Sequence, residues 1–251
     1  MAQIWEQHNE GYHYEVRTAG SSLRLYRDGV LHTQYNTKRL LTLGVWDLLL
    51  LPALAVGDAG PKRVLVLGVG GGAILRLYSD FFPGVELTGV DLDPMHLQIA
   101  RQFFGIEQTE ATLIAAEAQE WLGSYTGERF DLVIDDMFDG SDADPKKVFA
   151  PDKPWFDRLL SVLKPDGMLV MNFASMRDLA KSAWLRDRKL RRDLPGAVAL
   201  EMPSYGNAVA AYSGLPLNAA DVRAAVGLRA EFQRGDGKQL MFSVRTQRPR
   251  V

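Results

Sequence analysis

Between residues 12 and 35 apolar and polar positions alternate and change phase several times: Tyr12, Tyr14 and Val16 share one face, then Leu23 and Leu25, then Val30 onward. A period of two predicts short antiparallel strands, with residues 23–27 and 30–34 forming a hairpin about Asp28-Gly29. Over residues 37–51 the leucines and Trp46 recur at spacings of three and four, which predicts a helix stopped by Pro52. A glycine-rich linker follows at 57–61. Beyond it, short stretches at 63–67, 86–90, 111–115, 130–135 and 168–173 predict strands, with continuous apolar runs clearest at Val64-Leu65-Val66-Leu67 and in Leu169-Val170-Met171-Asn172-Phe173. Between them, stretches at 73–82, 94–104, 118–125 and 155–163 predict helices. Strands without a polar face are those covered by helices on both sides. The expected class is α/β, a doubly wound, mostly parallel Rossmann-like sheet. Residues 1–36 form a small N-terminal β region before a main domain over 37–251, and runs at 198–202, 208–212 and 239–245 add antiparallel strands at one edge.

Composition narrows the function. The 251 residues carry 29 Lys plus Arg against 31 Asp plus Glu, so no overall positive field attracts a phosphate backbone and nucleic acid is not an expected partner. The absence of cysteine excludes disulfides, thiolate metal sites and a cysteine nucleophile. Residues 1–10 contain Glu6 and Glu10 and no apolar run, unlike a signal peptide. The apolar stretch at 48–56, broken by Pro52, falls short of the roughly 20 residues that cross a bilayer. A cytoplasmic protein without a membrane partner is expected.

Candidate chemistry begins at Gly68-Val69-Gly70-Gly71-Gly72-Ala73, which leaves a predicted strand and opens a predicted helix. Positions without side chains let a ligand approach the backbone, and the helix N-terminus offers free N–H groups. Gly68, Gly70, Gly71 and Gly72 are therefore candidate cofactor contacts; the alternative is a tight turn without ligand. Asp91, with Leu92 beside it, ends the next strand, where an acid accepts hydrogen bonds from ribose hydroxyls. Asp93 immediately precedes Pro94 and is the better helix cap, leaving Asp91 free. Glu117 and Ala118 follow the third strand, where an adenine amino group can be recognised, unless Glu117 serves only the helix N-terminus.

A nicotinamide dinucleotide suits such a loop equally well. Against it stands the run Leu163-Lys164-Pro165-Asp166-Gly167-Met168-Leu169, which resembles the LKPGGxL turn of class I S-adenosylmethionine-dependent transferases. Phe130-Asp131-Leu132-Val133-Ile134-Asp135-Asp136-Met137-Phe138-Asp139, read with the glycine loop and Val90-Asp91-Leu92-Asp93, resembles the spermidine synthase family, whose fourth strand ends in a D-x-x-D pair. The resemblance implies a class I methyltransferase-type fold and an adenosyl sulfonium cofactor, S-adenosylmethionine or its decarboxylated form. It implies that Asp136 positions and deprotonates an attacking amine, that Asp139 helps hold it, and that the chain forms a homodimer.

The departures bear on specificity. The family's GGGDGG loop carries an acid where this chain has Gly71, and its glutamine after the hairpin is replaced by His32. Loss of that acid removes a charge that repels the carboxylate of intact S-adenosylmethionine. Several acids that hold a diamine also have no counterpart in residues 34–39.

A carboxylate at the end of the fourth strand, facing the glycine loop, is placed to orient an amine and take its proton. Asp136 is the candidate, with Asp135 as the alternative should the register slip by one. Asp142 and Asp144 read as a solvated acidic loop, and no residue is expected to bind metal. Trp155 and Tyr205 flank the expected site as candidate acceptor contacts, and His32 is a candidate cofactor contact. The basic run from Arg186 to Arg192 reads as a solvated helix face. The expected function is methyl or aminopropyl transfer to a small amine or related acceptor. The alternatives are an authentic polyamine aminopropyltransferase and a noncatalytic sensor of adenosyl nucleosides.

Overall fold

The computed structural model describes residues 1–57, 59–139 and 146–249. Asp58 of the expected linker, and Asp142 and Asp144 of the acidic loop, lie outside the described residues.

The N-terminal region is a four-stranded antiparallel meander of β1 (Ala2–Asn9), β2 (Tyr12–Ala19), β3 (Ser22–Arg27) and β4 (Val30–Asn36). Two of its turns, Glu10-Gly11 and Asp28-Gly29, place both residues at positive φ, the geometry whose twist matches a tight hairpin. One face of the meander lays Tyr14, Val16 and Leu25 against Met95 and Ile99 of the helix Pro94–Phe103 and Phe104 at its end. That packing brings the β3–β4 hairpin beside the nucleotide-type loop.

The helix expected over 37–51 is shorter. Residues 37–44 are irregular, α1 covers Val45–Leu50, and a 3₁₀ turn covers Leu51–Ala55. Asp47, fully buried, accepts from the Thr42 and Leu43 amides at 2.9 and 2.7 Å, binding the preceding segment into a loop that leucine spacing alone cannot reveal.

The main sheet contains β5 (Arg63–Leu67), β6 (Glu86–Asp91), β7 (Thr112–Ala115), β8 (Phe130–Asp135), β11 (Leu163–Phe173), β12 (Gly196–Glu201), β13 (Ala208–Ser213) and β14 (Ser243–Thr246). Between β8 and β11, β9 (Phe138–Asp139) and β10 (Lys146–Lys147) pair as a small separate ladder. The order is β14-β12-β13-β11-β8-β5-β6-β7. Strands β11, β8, β5, β6 and β7 run parallel, whereas β13 is antiparallel to both β11 and β12 and β14 is antiparallel to β12. The expected parallel core with antiparallel edge additions is present, although the last strand is shorter than 239–245 because residues 235–239 form a 3₁₀ turn.

Alternation along the strands distributes side chains between two cores. Val64, Val66, Leu132 and Ile134 join one layer, while Leu65, Leu67 and Val133 join the other. Helices α1 and α2 (Ala73–Phe81) contribute to the first layer. In the second lie residues of α4 (Ala118–Ser124) and α5 (Lys153–Val162), while α3 (Pro94–Phe103) sits under the N-terminal meander. The chain passes from β5 outward through β6 and β7, then crosses to β8 and β11 on β5's other side. This reversal opens a crevice at the carboxyl ends of β5 and β8, the usual ligand position in open α/β sheets. Among the described residues no helix is long and apolar enough to cross a membrane.

Candidate active site

A cavity of about 590 Å³ lies at that crevice. Its wall includes His32, Gly68, Gly70, Asp91, Leu92, Glu117, Ala118, Asp136, Asp139 and Tyr205, all expected at the site. Gly71, Gly72 and Trp155 are not on the wall. Added side chains at Gly71 and Gly72 would lie 2.3 Å from Thr33 Cγ2 and 2.2 Å from Ile106 Cδ1, so these glycines let β4 and the loop after α3 pack against the turn. Trp155 is buried behind the cavity, its ring stacked on Phe149 at 4.2 Å.

Gly68 occupies positive φ, and a Cβ there would meet the Asp136 carbonyl oxygen at 2.5 Å. The loop and the end of β8 therefore approach more closely than any side chain permits. Asp91 organises the loop from the other side: its Oδ2 accepts from the Val69 and Gly70 amides at 2.8 and 2.9 Å, and its Oδ1 from the Asp93 amide at 2.9 Å. Burial pushes this carboxyl up, but His96 and the amides outweigh it, holding Asp91 below the usual range. Three amides leave it about one acceptor direction for a ribose hydroxyl, so the role expected of Asp91 is joined to a structural one.

Asp93 caps α3 by accepting from the Met95 amide at 2.9 Å, as its place before Pro94 predicts. Its other oxygen accepts from Tyr14 Oη at 2.6 Å and Arg27 Nη1 at 3.2 Å, tying the meander to the main sheet. Glu117 both lines the cavity and caps α4 through the Glu120 amide, at 2.8 Å.

Among the described residues, Arg27 Nε, His32 Nε2 and His96 Nε2 are buried without a hydrogen-bond partner, and all three residues line the cavity. His96 Nε2 stands 3.6 Å from Asp93 Oδ2, beyond hydrogen-bonding reach. Burial, reinforced by His96 and Arg27, lowers His32 to about 3, so its ring is neutral near pH 7. Unpaired polar atoms around one cavity fit a ligand with its own donors and acceptors, such as a ribose and a purine.

At the end of β8 the two neighbouring acids separate. Asp135 is fully buried and receives Lys147 Nζ and Trp155 Nε1, each at 2.9 Å. Asp136 is half-buried, faces the cavity, and accepts from Asn172 Nδ2 at 2.7 Å; Asn172 Oδ1 in turn accepts from Asn207 Nδ2 at 3.1 Å. Burial raises Asp136 to about 7; Asn172 and Lys147 oppose the rise, and Asp135 and Asp91 add to it. Asp139 is exposed and accepts from the Lys146 amide at 2.9 Å within the β9–β10 ladder.

The sequence reading missed Tyr12, Arg27, His96, Asn172 and Asn207, all on the cavity wall. Asn172 carried a signal, a lone amide within the apolar run Leu169-Val170-Met171-Asn172-Phe173. Arg27 and His96 carried none, because only docking of the meander on α3 brings them to the site. Among the described residues no group of three or more His, Asp or Glu side chains is arranged to hold a metal ion.

This sheet order and switch-point cavity define a class I methyltransferase-type fold. A family model described as a methyltransferase domain matches residues 60–218, and the chain belongs to that family. The sequence is 28% identical over 170 residues to a polyamine aminopropyltransferase of Neisseria meningitidis, an alignment covering 63% of this chain and 59% of that enzyme. The chain thus spans somewhat over half the length of this curated relative. The fold matches a probable spermidine synthase from Corynebacterium glutamicum with a TM-score of 0.75, at 19% identity, over 96% of this chain and 90% of that one. Human methyltransferase-like protein 13, solved in complex with SAH, matches with a TM-score of 0.59 at 18% identity, over 76% of this chain and 92% of that one.

Proposed function

We propose that the protein is a transferase that binds S-adenosylmethionine or its decarboxylated form and passes the methyl or aminopropyl group to a small amine. The observation that carries this reading is Asp136, whose carboxylate lines the cavity and is held by Asn172 while its main-chain carbonyl lies against the glycine turn. The relatives named above support an adenosyl cofactor, as do the unpaired atoms of Arg27, His32 and His96.

When bound, the sulfonium supplies an electrophilic carbon and leaves as a neutral thioether, so no general acid is needed. The chain's own part is to place the amine and receive its proton. Asp136 first pairs with the incoming ammonium and then takes a proton, freeing the lone pair that forms the new C–N bond as the C–S electrons move to sulfur. A carboxyl near 7 is divided between acid and base forms at neutral pH, which suits it to accept and then release that proton. Asn172 fixes the carboxyl plane, and Asn207 fixes Asn172.

Position 71, where this chain lacks the acid of the resembled loop, closes against Thr33 and is not on the cavity wall, so it does not itself choose between the intact and the decarboxylated cofactor. The test is incubation of the protein with each cofactor and a panel of amines, with products identified by mass spectrometry. New methylated or aminopropylated amines that disappear in Asp136→Asn support the reading, and products formed equally by the variant contradict it.

A further inference from the structure

The strand register sets three polar side chains in a row at the carboxyl edge of the sheet. Asp135 pairs with Met171 across β8 and β11, so the next two positions, Asp136 and Asn172, stand side by side. Asn172 in turn pairs with Val209 of β13, and Asn207, two residues before Val209, is its diagonal neighbour. The contacts follow that order: Asn172 Nδ2 donates to Asp136 Oδ1 at 2.7 Å, and Asn207 Nδ2 donates to Asn172 Oδ1 at 3.1 Å. All three residues line the cavity, Asn172 buried and the other two half-buried.

This row has a direction. An ionised carboxylate only accepts, so Asn172 turns its amide nitrogen toward Asp136, its oxygen then faces Asn207, and Asn207 presents nitrogen in turn. The reverse order would oppose lone pairs in a buried contact. Because Oδ1 stays an acceptor, a proton taken by Asp136 goes to Oδ2. The charged groups about this carboxyl are Lys147 of β10, Asp135 of its own strand, Asp91 of β6 and, exposed on the cavity wall, Asp139 of β9. Burial raises its proton affinity most, Asn172 and Lys147 oppose that rise, and Asp135 and Asp91 add to it.

We propose that Asn207 is a positioning residue for Asp136 that acts through Asn172: its donation to the Asn172 oxygen holds the amide nitrogen on the carboxylate and so favours the base form. This rests on the reading of Asp136 as the base of an amine transfer, in which the amine N–H bond breaks, its electron pair stays on nitrogen and the proton passes to Oδ2. Without Asn207 the Asn172 oxygen loses its donor and the amide is free to turn. Each link of such a chain polarises the next, so the outer amide reaches the carboxyl only while the inner one is present.

The test is a double-mutant cycle with the Asp136 midpoint as its readout, followed by carboxyl-resolved NMR titration of the protein without ligand. Asn207→Ala is expected to raise that midpoint by about half a pH unit or more, the scale of one hydrogen bond. Asn172→Ala is expected to raise it further, and the double variant to match Asn172→Ala alone, since Asn207 has no other route to the carboxyl. Asn172→Leu, which keeps the volume, completes the cycle if Asn172→Ala does not fold. The pH profile of kcat/KM for Asn207→Ala is expected to move upward with the midpoint. An unmoved midpoint in Asn207→Ala overturns the proposal, as do shifts that add in the double variant. The expected midpoints in a protein that transfers no group support the relation between Asn207 and Asp136 while striking the reading of the site on which its use in catalysis rests.

Discussion

Asp135 and Asp136 are neighbours in sequence and serve opposite sides of the sheet. Asp135 continues the face of Val133 and is sealed by Lys147 and Trp155, each at 2.9 Å, while Asp136 turns to the cavity and accepts from Asn172 at 2.7 Å. On the proposed reading, one carboxylate anchors the strand end and the other transfers the proton. Asp136→Asn keeps the shape and removes the base, so transfer is expected to fall by about 10²–10⁴-fold. The dissociation constant for the nucleoside is expected to stay within about twofold, because an energy change well under 1.4 kcal/mol is less than tenfold. Steady-state rates and calorimetry on the same preparation check both.

The proton affinity of Asp136 carries a pH signature. Its carboxyl titrates near 7 in the folded protein, against an ordinary value of 3.8. The base form is lost as pH falls through about 7, so kcat/KM is expected to drop about tenfold per unit below that midpoint. Stability runs the other way. The folded state holds the proton more tightly than the unfolded chain, so this group's stabilisation is fully present below pH 3.8 and is lost as pH rises through about 7. Chemical denaturation of the wild type and Asp136→Asn across this window checks the sign, since the variant lacks that component.

Lys147 is the lock on the wall that carries Phe138 and Phe149. Its ammonium donates to Asp135 Oδ1 at 2.9 Å and to the Asn172 carbonyl at 2.8 Å, and its charge lowers the proton affinity of Asp136. Lys147→Met is expected to destabilise the fold by about 3–5 kcal/mol, the range for a buried ion pair broken from one side. It is also expected to move the Asp136 midpoint upward. Lys147→Arg, which keeps the charge, is expected to retain the lower midpoint even where packing suffers. Carboxyl-resolved NMR titration separates the two effects.

Asp91 has a structural duty that a ribose contact alone does not imply. Replacing it with Ala leaves the Val69, Gly70 and Asp93 amides without their acceptor, at a cost of about 1–3 kcal/mol for each that stays buried and unpaired. Thermal unfolding is expected to shift downward even without nucleoside. An unchanged midpoint would show that the loop holds its shape without Asp91.

The parallel core was legible because β5 and β8 are largely apolar runs that end at glycine or acid, but alternation left Asp135 and Asp136 as alternatives, which only the contacts to Lys147, Trp155 and Asn172 separate. The Asp93 cap was equally local, read from its position before Pro94. What escaped depends on distant contacts. β1 is a polar strand, AQIWEQHN, held chiefly by pairing with β2, and it lacks the apolar periodicity that announces a strand. The segment before α1 carries helical leucine spacing, yet Asp47 binds it back as a loop. Gly71 was read as facing the ligand, whereas its missing side chain makes room for Thr33. Trp155 was read as an acceptor contact and instead supports Asp135 and Phe149 from behind.

The central claim is that the cavity between the glycine turn and Asp136 holds an adenosyl sulfonium. Calorimetric titration of the protein with S-adenosylmethionine, its decarboxylated form, methylthioadenosine and NAD tests it most directly. The account predicts saturable single-site binding of the adenosyl sulfur compounds and no binding of NAD. Binding of NAD with the adenosyl sulfur compounds ignored would contradict it.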